Sequence, residues 1–349
     1  PLAAHCPAEA ARVMAVAAER AGAPKGPIIC MTHISLDGTN ALLKHRAVSL
    51  ILATGGTPMV RAAHSVGKPA YGVGPGNVPC YVDRSADLAQ AARYLVASKS
   101  FDFSVICATE QAAVVDAPVA AEFARLLAAE GAYFTSEAET QALRKLLFFE
   151  DGSINSATVG KSPQALAQMA GFTAPPQARI LVTRLQKVGK SEPLRREKLT
   201  TVLGWYEADG WEAGCERCLE LIAFGGAGHS VALHARDERV ILAFGLEKPV
   251  HRIVVNTLSS LGGVGLTTGV PISMTLGPGG VGGAITGDNI SVQHMFTVKN
   301  LAYQIKEPPE AALKSVAAPG GLSVGATAGG STAAPSQEAL VEQIVQRVL

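Results

Sequence analysis

Neither sign of charge prevails in this chain: 30 Lys and Arg stand against 29 Asp and Glu, a formal net charge of +1. A basic face for nucleic acid or for an anionic membrane needs an excess that is missing here, so neither partner is expected. Long apolar runs are missing too. None approaches the roughly 18 residues that span a bilayer, and no charged-then-apolar leader opens the text. These absences place the chain in the cytoplasm. A disulfide framework is also lacking, because the six cysteines, at 6, 30, 80, 107, 215 and 218, are scattered through a large chain. Only Cys215-Glu-Arg-Cys218 has ligand-like spacing, and zinc would need a second pair that is not there; no metal site is expected.

What is present is a compact α/β composition: 48% hydrophobic residues, 36 glycines and 17% charged residues over 349 positions, enough for two domains with their own cores. From residue 8 to about 73 helix and strand patterns alternate. AEAARVMAVAAERAG is an amphipathic helix, PIICMT an apolar strand, Gly38–His45 helical, SLILATGG a buried strand, PMVRAAHSVG a helix and PAYGVGPG a strand. Short strands separated by helices indicate a parallel sheet with right-handed crossovers, the grammar of a nucleotide-binding domain. Two glycine corners, Ala53-Thr54-Gly55-Gly56-Thr57 and Gly72-Val73-Gly74-Pro75-Gly76-Asn77, close its strands. Neither has the spacing of the usual dinucleotide fingerprint, so each reads either as a tight turn or as a place where a cofactor approaches the backbone.

A second α/β region follows, with helices at 86–100, 118–130, 137–148 and 161–171 and strands in AAVVD, ARILVTRL, HSVALHA and RIVVN. Residues 262–289 are mostly glycine, threonine and small apolar residues, spaced like loops crowding a site. SVQHMFTVKNLAYQI, 291–305, has the period of an oligomer-building strand. Residues 308–335 have linker composition, and SQEALVEQIVQRVL, 336–349, is an amphipathic helix with Ser336 as its cap. So short a helix folds only against something, either its own domain or an outside partner.

The stretch SKSFDFSVICATEQ, 98–111, sets Cys107 between an apolar lead-in and a polar exit. Most such cysteines are small hydrophobes. Yet the motifs GxxMVRAA, GVGPGNVPCYVDRSADLAQA, SKSFDFSVICATEQ, SEPLRREKL, GGAGHS and NTLSSLGGVG, in this order over residues 1–305, closely resemble the CoA-acylating aldehyde dehydrogenases. Among these is the aldehyde half of the bifunctional aldehyde-alcohol dehydrogenases. The resemblance implies a Rossmann-type NAD-binding part at 1–78 and an α/β catalytic domain at 79–285. After them come a return segment with an oligomerisation strand at 286–307, a linker at 308–335 and the terminal helix at 336–349.

It also implies roles. Cys107 becomes the nucleophile, whose thiolate adds to an aldehyde and ends as a thioester. His229 lies near it and helps to ionise Cys107 or the thiol of coenzyme A, or else is a histidine bonded within a turn. Thr54, Gly55, Gly56, Gly72 and Gly74 lie against the cofactor; Glu197, with Leu199 beside it, binds the nicotinamide ribose. The chain runs Leu199-Thr200-Thr201 where the family carries a proline. The strand GVGPGNVP holds no acid or base to activate water, so the thioester waits for the CoA thiol. The remaining alternatives are hydrolysis to a free acid and an inactive chain with a partner-binding tail.

Family members also carry a portion ahead of what is Pro1 here, with the first strands of the cofactor domain and an asparagine for the oxyanion. The chain therefore reads as an N-terminally incomplete copy. Its tail resembles the encapsulation peptides of bacterial microcompartments, which implies a shell protein as partner through 336–349. A homo-oligomer acting on acetaldehyde or propionaldehyde, with NAD and coenzyme A, completes the expectation.

Overall fold

The computed structural model describes residues 5–315. They fall into two units divided between Phe296 and Thr297. The first opens with helices α1 (His5–Arg20) and α2 (Leu36–Lys44), then strand β1 (Ile51–Thr54), helix α3 (Thr57–His64) and strand β2 (Ala70–Val73). β1 and β2 pair in parallel with Ile51 opposite Ala70. Leu43, Ile51, Ala53, Ala63 and Ala70 close a small core between this ribbon and its helices. α1 buries no residue.

PIICMT is not a strand, and this corrects the expectation. No neighbour among the described residues offers it a ladder, and Ile29 is 88% exposed. Apolar residues make a strand only where a partner strand takes up their backbone groups.

Seven parallel strands form the large sheet: β3 (Val78–Val82), β4 (Glu110–Asp116), β5 (Ala132–Phe134), β6 (Ile180–Arg184), β7 (Val202–Ala208), β8 (Gly228–His234) and β9 (Val250–Val255). Their order is β5-β6-β7-β4-β3-β8-β9. The chain starts in the middle at β3, winds out to one edge, returns and then builds the other side. Helices α4 (Leu88–Ser100) and α5 (Ala117–Ala129) cover one face; α6 (Glu137–Leu147), α7 (Pro163–Met169), α8 (Gly210–Ala223) and α9 (Glu238–Glu247) cover the other.

β4 explains why the strands read as unbroken apolar runs. Its Ala113 and Val115 pack with Leu95 and Phe123 on one face, while Ala112 and Val114 pack with Leu143 and Leu221 on the other. A sheet buried on both faces has no polar side to alternate with. Each large side chain removed from water there contributes about 1.5–3 kcal/mol.

β3 was hidden in the sequence by Pro79, which cannot donate to a ladder. The structure accommodates it with a register shift between Val78 and Pro79 where β3 meets β4.

Because all seven strands run the same way, the segments that lead into β3, β4, β7 and β8 meet at one edge, the amino edge. A short helix, α10 (Ser259–Gly262), follows β9. In the second unit, residues 297–309 form no strand and α11 (Glu310–Ser315) is one short helix. The oligomerisation strand expected at 291–305 is thus absent within the described residues: a single turn of 3-10 helix covers Val292–Met295, and Val298, Leu301, Tyr303 and Ile305 stand exposed. Period-two patterning names a surface that pairs, and one chain alone supplies nothing to pair with. The helix expected at 336–349 lies outside the described residues.

Candidate active site

The approach to Cys107 is built from unusual backbone. α4 ends at Ser100, and Asp102, Phe103 and Ser104 follow with φ of 47°, 48° and 68°. Three successive non-glycine residues in the left-handed region cost of order 1–3 kcal/mol each and persist only where the surroundings hold them. They reverse the chain sharply, so that Cys107 stands half-buried just ahead of β4 on the wall of a cavity of about 1050 Å³.

His229, the second residue of β8, reaches the same point. Its Nε2 lies 3.2 Å from Cys107 Sγ and its Nδ1 3.0 Å from Ser230 Oγ. These two segments close over Gly76. A Cβ on Gly76 would overlap the Cys107 carbonyl oxygen, and a Cβ on Gly226 would overlap the Gly76 carbonyl oxygen. Asn77 has φ 38° and ties the corner down, its amide donating to the Leu221 carbonyl at 3.1 Å. Neither Gly76 nor Asn77 was singled out from the sequence, although the density of Gly-x-Gly-Pro-Gly-Asn was the available signal.

Glu197 stands across the cavity, on the chain entering β7. It is no exposed helix residue: its Oε1 accepts from the Gly76 N–H at 2.8 Å. Leu199 lies beside it with φ 49°, so the departure at Leu199-Thr200-Thr201 coincides with a left-handed turn. Thr54, Gly55 and Gly56, at the carboxyl end of β1, and Gly74, at that of β2, line the same cavity. The site therefore lies between the carboxyl end of the small ribbon and the amino edge of the large sheet. Gly72 does not join it. Its missing Cβ lets α3 close on β2, where a Cβ would overlap His64. Val281, Gly282 and Gly283, from the glycine-rich stretch, complete the wall.

Burial dominates the electrostatics. It pushes the Cys107 thiol up to about 12, and the charge of Glu197 adds to this; Arg252 and the backbone N–H groups of Cys107 and Ala108 oppose it. Burial, helped by the positive charge of Arg252, pulls His229 down to about 3, so its ring is neutral. Burial also raises the Glu197 carboxyl, against the pull of the Gly76 and Asn77 N–H groups.

Behind the cysteine lies a buried polar layer that sequence reasoning missed. Lys198 Nζ donates to the carbonyls of Leu194, Arg196 and Gln111 at 2.7, 2.9 and 3.0 Å. Glu110 accepts from Ser98 Oγ at 2.5 Å and from the Ser259 N–H at 3.1 Å.

The other cysteines stay apart from the cavity. Cys6 is exposed on α1, Cys30 is half-buried in the strand-free segment, Cys80 is buried in β3, and Cys215 and Cys218 are buried on α8. Among the described residues no group of three or more His, Cys, Asp or Glu could hold a metal. No helix among them is long and apolar enough to cross a membrane.

Residues 3–141 match the family described as the aldehyde dehydrogenase family. The structure resembles that of an acetylating aldehyde dehydrogenase from Geobacillus thermoglucosidasius with a TM-score of 0.86. The two are 47% identical, and the likeness covers 88% of this chain and 68% of that one. The chain belongs to the aldehyde dehydrogenase family. Within it, an aldehyde-alcohol dehydrogenase from Streptococcus pneumoniae is 38% identical over 310 residues, 86% of this chain and 35% of its own. A propionaldehyde dehydrogenase from the fucose-utilisation microcompartment of Clostridium phytofermentans is 25% identical at a TM-score of 0.72, covering 80% of this chain and 62% of that one. The chain spans about a third of the length of the curated aldehyde dehydrogenase relatives that match it first.

Proposed function

We propose that this aldehyde dehydrogenase oxidises a short aldehyde to its coenzyme A thioester, with Cys107 as nucleophile. The carrying observation is the Cys107–His229 contact at 3.2 Å on the wall of one large cavity that Glu197 and the glycine corner also line. The Cys107 sulfur adds to the aldehyde carbon, its C–S bond forming as the carbonyl π pair moves to oxygen. The amide N–H groups of Cys107 and Ala108 point at this sulfur and favour its anion.

The cavity fits a dinucleotide. α3 starts at Thr57 with no side-chain cap. Pro58 has no N–H and the Met59 N–H goes to the Gly56 carbonyl at 3.0 Å, so the Thr57 N–H is the helix group left for a pyrophosphate, and Gly55 and Gly56 have no Cβ to hold it off. Glu197 offers its carboxylate as acceptor for ribose hydroxyls, and Thr54, Gly74 and Leu199 fill out the wall. When bound, the oxidised nicotinamide takes up the hydride that turns the Cys107 adduct into a thioester. We take NAD as the dinucleotide, held by the part up to residue 78, and assign the chemistry to 79–285.

No acid or base stands in 72–79 to activate water, which leaves the CoA thiol as the nucleophile that releases Cys107. The name acetylating, carried by the Geobacillus relative, agrees with this. One observation favours hydrolysis instead: Glu197 is a carboxylate on the same cavity. The test is formation of reduced nicotinamide from propionaldehyde, with and without coenzyme A. CoA-dependent signal that Cys107→Ala abolishes supports thioester transfer; full signal without CoA would favour the free acid, and retained turnover in Cys107→Ala would remove the assignment.

The pattern of 336–349 and the microcompartment relative together support a shell protein as partner. A reporter fused to 336–349 should enter compartments. The exposed Val298, Leu301, Tyr303 and Ile305 support a homo-oligomer, to be checked by the mass of the protein in solution.

A further inference from the structure

A neutral imidazole carries one proton, and its partners decide which nitrogen holds it. For His229 the decision is made on the side away from the cavity. Nδ1 faces Ser230 Oγ at 3.0 Å, and Ser230 is fully buried in β8. The other partner of that hydroxyl is Arg252, on β9, whose Nε donates to it at 3.3 Å. A guanidinium can only donate.

Arg252 is itself fixed in place. It is buried, and its remaining N–H groups go to the Gly277 carbonyl at 2.6 Å, the Gly287 carbonyl at 2.8 Å and Asn289 Oδ1 at 3.3 Å. Two backbone carbonyls and one side-chain oxygen of the glycine-rich stretch thus hold the arginine, and the arginine holds the serine. Of the two side chains bonded to the Ser230 hydroxyl, Arg252 can only donate, so His229 Nδ1 is the one acceptor for the hydroxyl hydrogen, which would otherwise be buried without a partner. An Nδ1 that accepts leaves the ring proton on Nε2, the nitrogen that faces Cys107 Sγ at 3.2 Å.

We propose that Arg252 and Ser230 lock His229 in its Nε2–H tautomer, so that the histidine donates a hydrogen bond to the Cys107 sulfur and does not act as the base that ionises it. Of the roles the sequence left open for His229, this keeps its help in ionising Cys107 but assigns that help to a donor and not to a base. An Nε2–H cannot take the thiol proton; that proton leaves to solvent through the open cavity. The donor stabilises the sulfur as an anion twice, once before it attacks the aldehyde and again when the CoA thiol displaces it from the thioester. The same arginine, a buried cation close by, discourages a second proton on the ring. Ser230 and Arg252 are positioning residues, and His229 alone touches the reacting atom.

The catalytic consequence rests on the function proposed above, but the tautomer is readable without any turnover. In protein labelled with ¹⁵N-histidine, the His229 ring signals are identified by their loss in His229→Asn. At neutral pH the expected pattern is a protonated Nε2 and a bare Nδ1; a proton on Nδ1 overturns the proposal. In Ser230→Ala the ring should shift towards the Nδ1–H form. Alkylation of Cys107 by iodoacetamide, corrected with Cys107→Ala, should then slow about tenfold at fixed pH, as one unit of thiol pKa implies, and its pH profile should move up. Ser230→Thr, which keeps the hydroxyl, restores both. The charged groups facing this pair, Glu197 and Arg252, are unchanged in these variants. An unaltered alkylation profile in Ser230→Ala would also overturn the proposal. Failed aldehyde turnover with the tautomer as expected would count against the proposed activity and leave the lock standing.

Discussion

The Glu197 carboxylate accepts from the Gly76 N–H at 2.8 Å, although 121 residues separate the two. That bond fixes the corner against which the Cys107 backbone packs, and it holds a negative charge near the thiol. The charge works against the thiolate.

Glu197→Gln should therefore make Cys107 more reactive while it weakens dinucleotide binding. The amide oxygen can still accept from Gly76, so the fold should survive. With the negative charge gone, the pH profile of iodoacetamide alkylation should move down, since Glu197 is among the causes that raise the thiol. A profile that moves up, or dinucleotide affinity left intact in a titration, would reject the placement of Glu197 in both roles.

Gly76→Ala should cost more than a glycine in a turn usually does. The added methyl meets the Cys107 carbonyl oxygen and comes within 3.1 Å of His229 Cε1. Backbone must shift, at about 1–3 kcal/mol for overpacking of this kind, and the Cys107–His229 contact goes with it. Urea unfolding should show a lowered midpoint with the slope unchanged, and CoA-dependent turnover should fall far more than stability does. Gly74→Ala is the control, because nothing lies within 4 Å of its Cβ position.

The sequence made the two-part α/β plan legible through its alternation of helices and apolar runs, and motif order marked Cys107, His229 and Glu197. What stayed hidden depended on tertiary partners. PIICMT and 291–305 carry strand patterns without a strand to pair with, whereas VPCYV is a central strand despite its proline because a register shift makes room at Pro79. Gly72 and Gly76 look alike in the text. One faces a helix and the other the nucleophile's backbone, a difference that only the packing of α3 and β8 decides. Arg252, in the apolar run of β9, was the one visible sign of the buried support behind His229.

His234 should make the protein sensitive to acid. It is buried in β8 with no hydrogen-bond partner for Nε2, and burial pulls its pKa from 6.5 to about 4. Between those values the unfolded chain binds a proton that the folded chain refuses. Stability from this group is complete above pH 6.5 and is lost as pH falls towards 4, by up to about 1.4 kcal/mol per unit. His229, pulled down to about 3, acts in the same direction. In His234→Leu, urea midpoints measured from pH 7 to pH 5 should decline less than in the parent; equal declines would mean that His234 is solvated in solution.

Glu110 has the opposite sign. Burial pushes its carboxyl from 4.5 up to about 7, in spite of the hydrogen bonds from Ser98 and the Ser259 N–H. Between pH 4.5 and 7 the folded chain holds the proton that the unfolded chain gives up, so this contribution is present at low pH and lost as pH rises through 7. Between pH 4.5 and 6.5 Glu110 offsets one of the two histidines, so the parent protein should keep the acid loss of the other, up to about 1.4 kcal/mol per unit. Glu110→Gln keeps an acceptor for Ser259 and removes the ionisation. Its stability relative to the parent should therefore grow from pH 5 to pH 8, and the acid loss due to His234 should stand out more steeply. A Glu110→Gln protein whose difference from the parent did not change with pH would mean that Glu110 titrates near its ordinary value, with water reaching the layer behind Cys107.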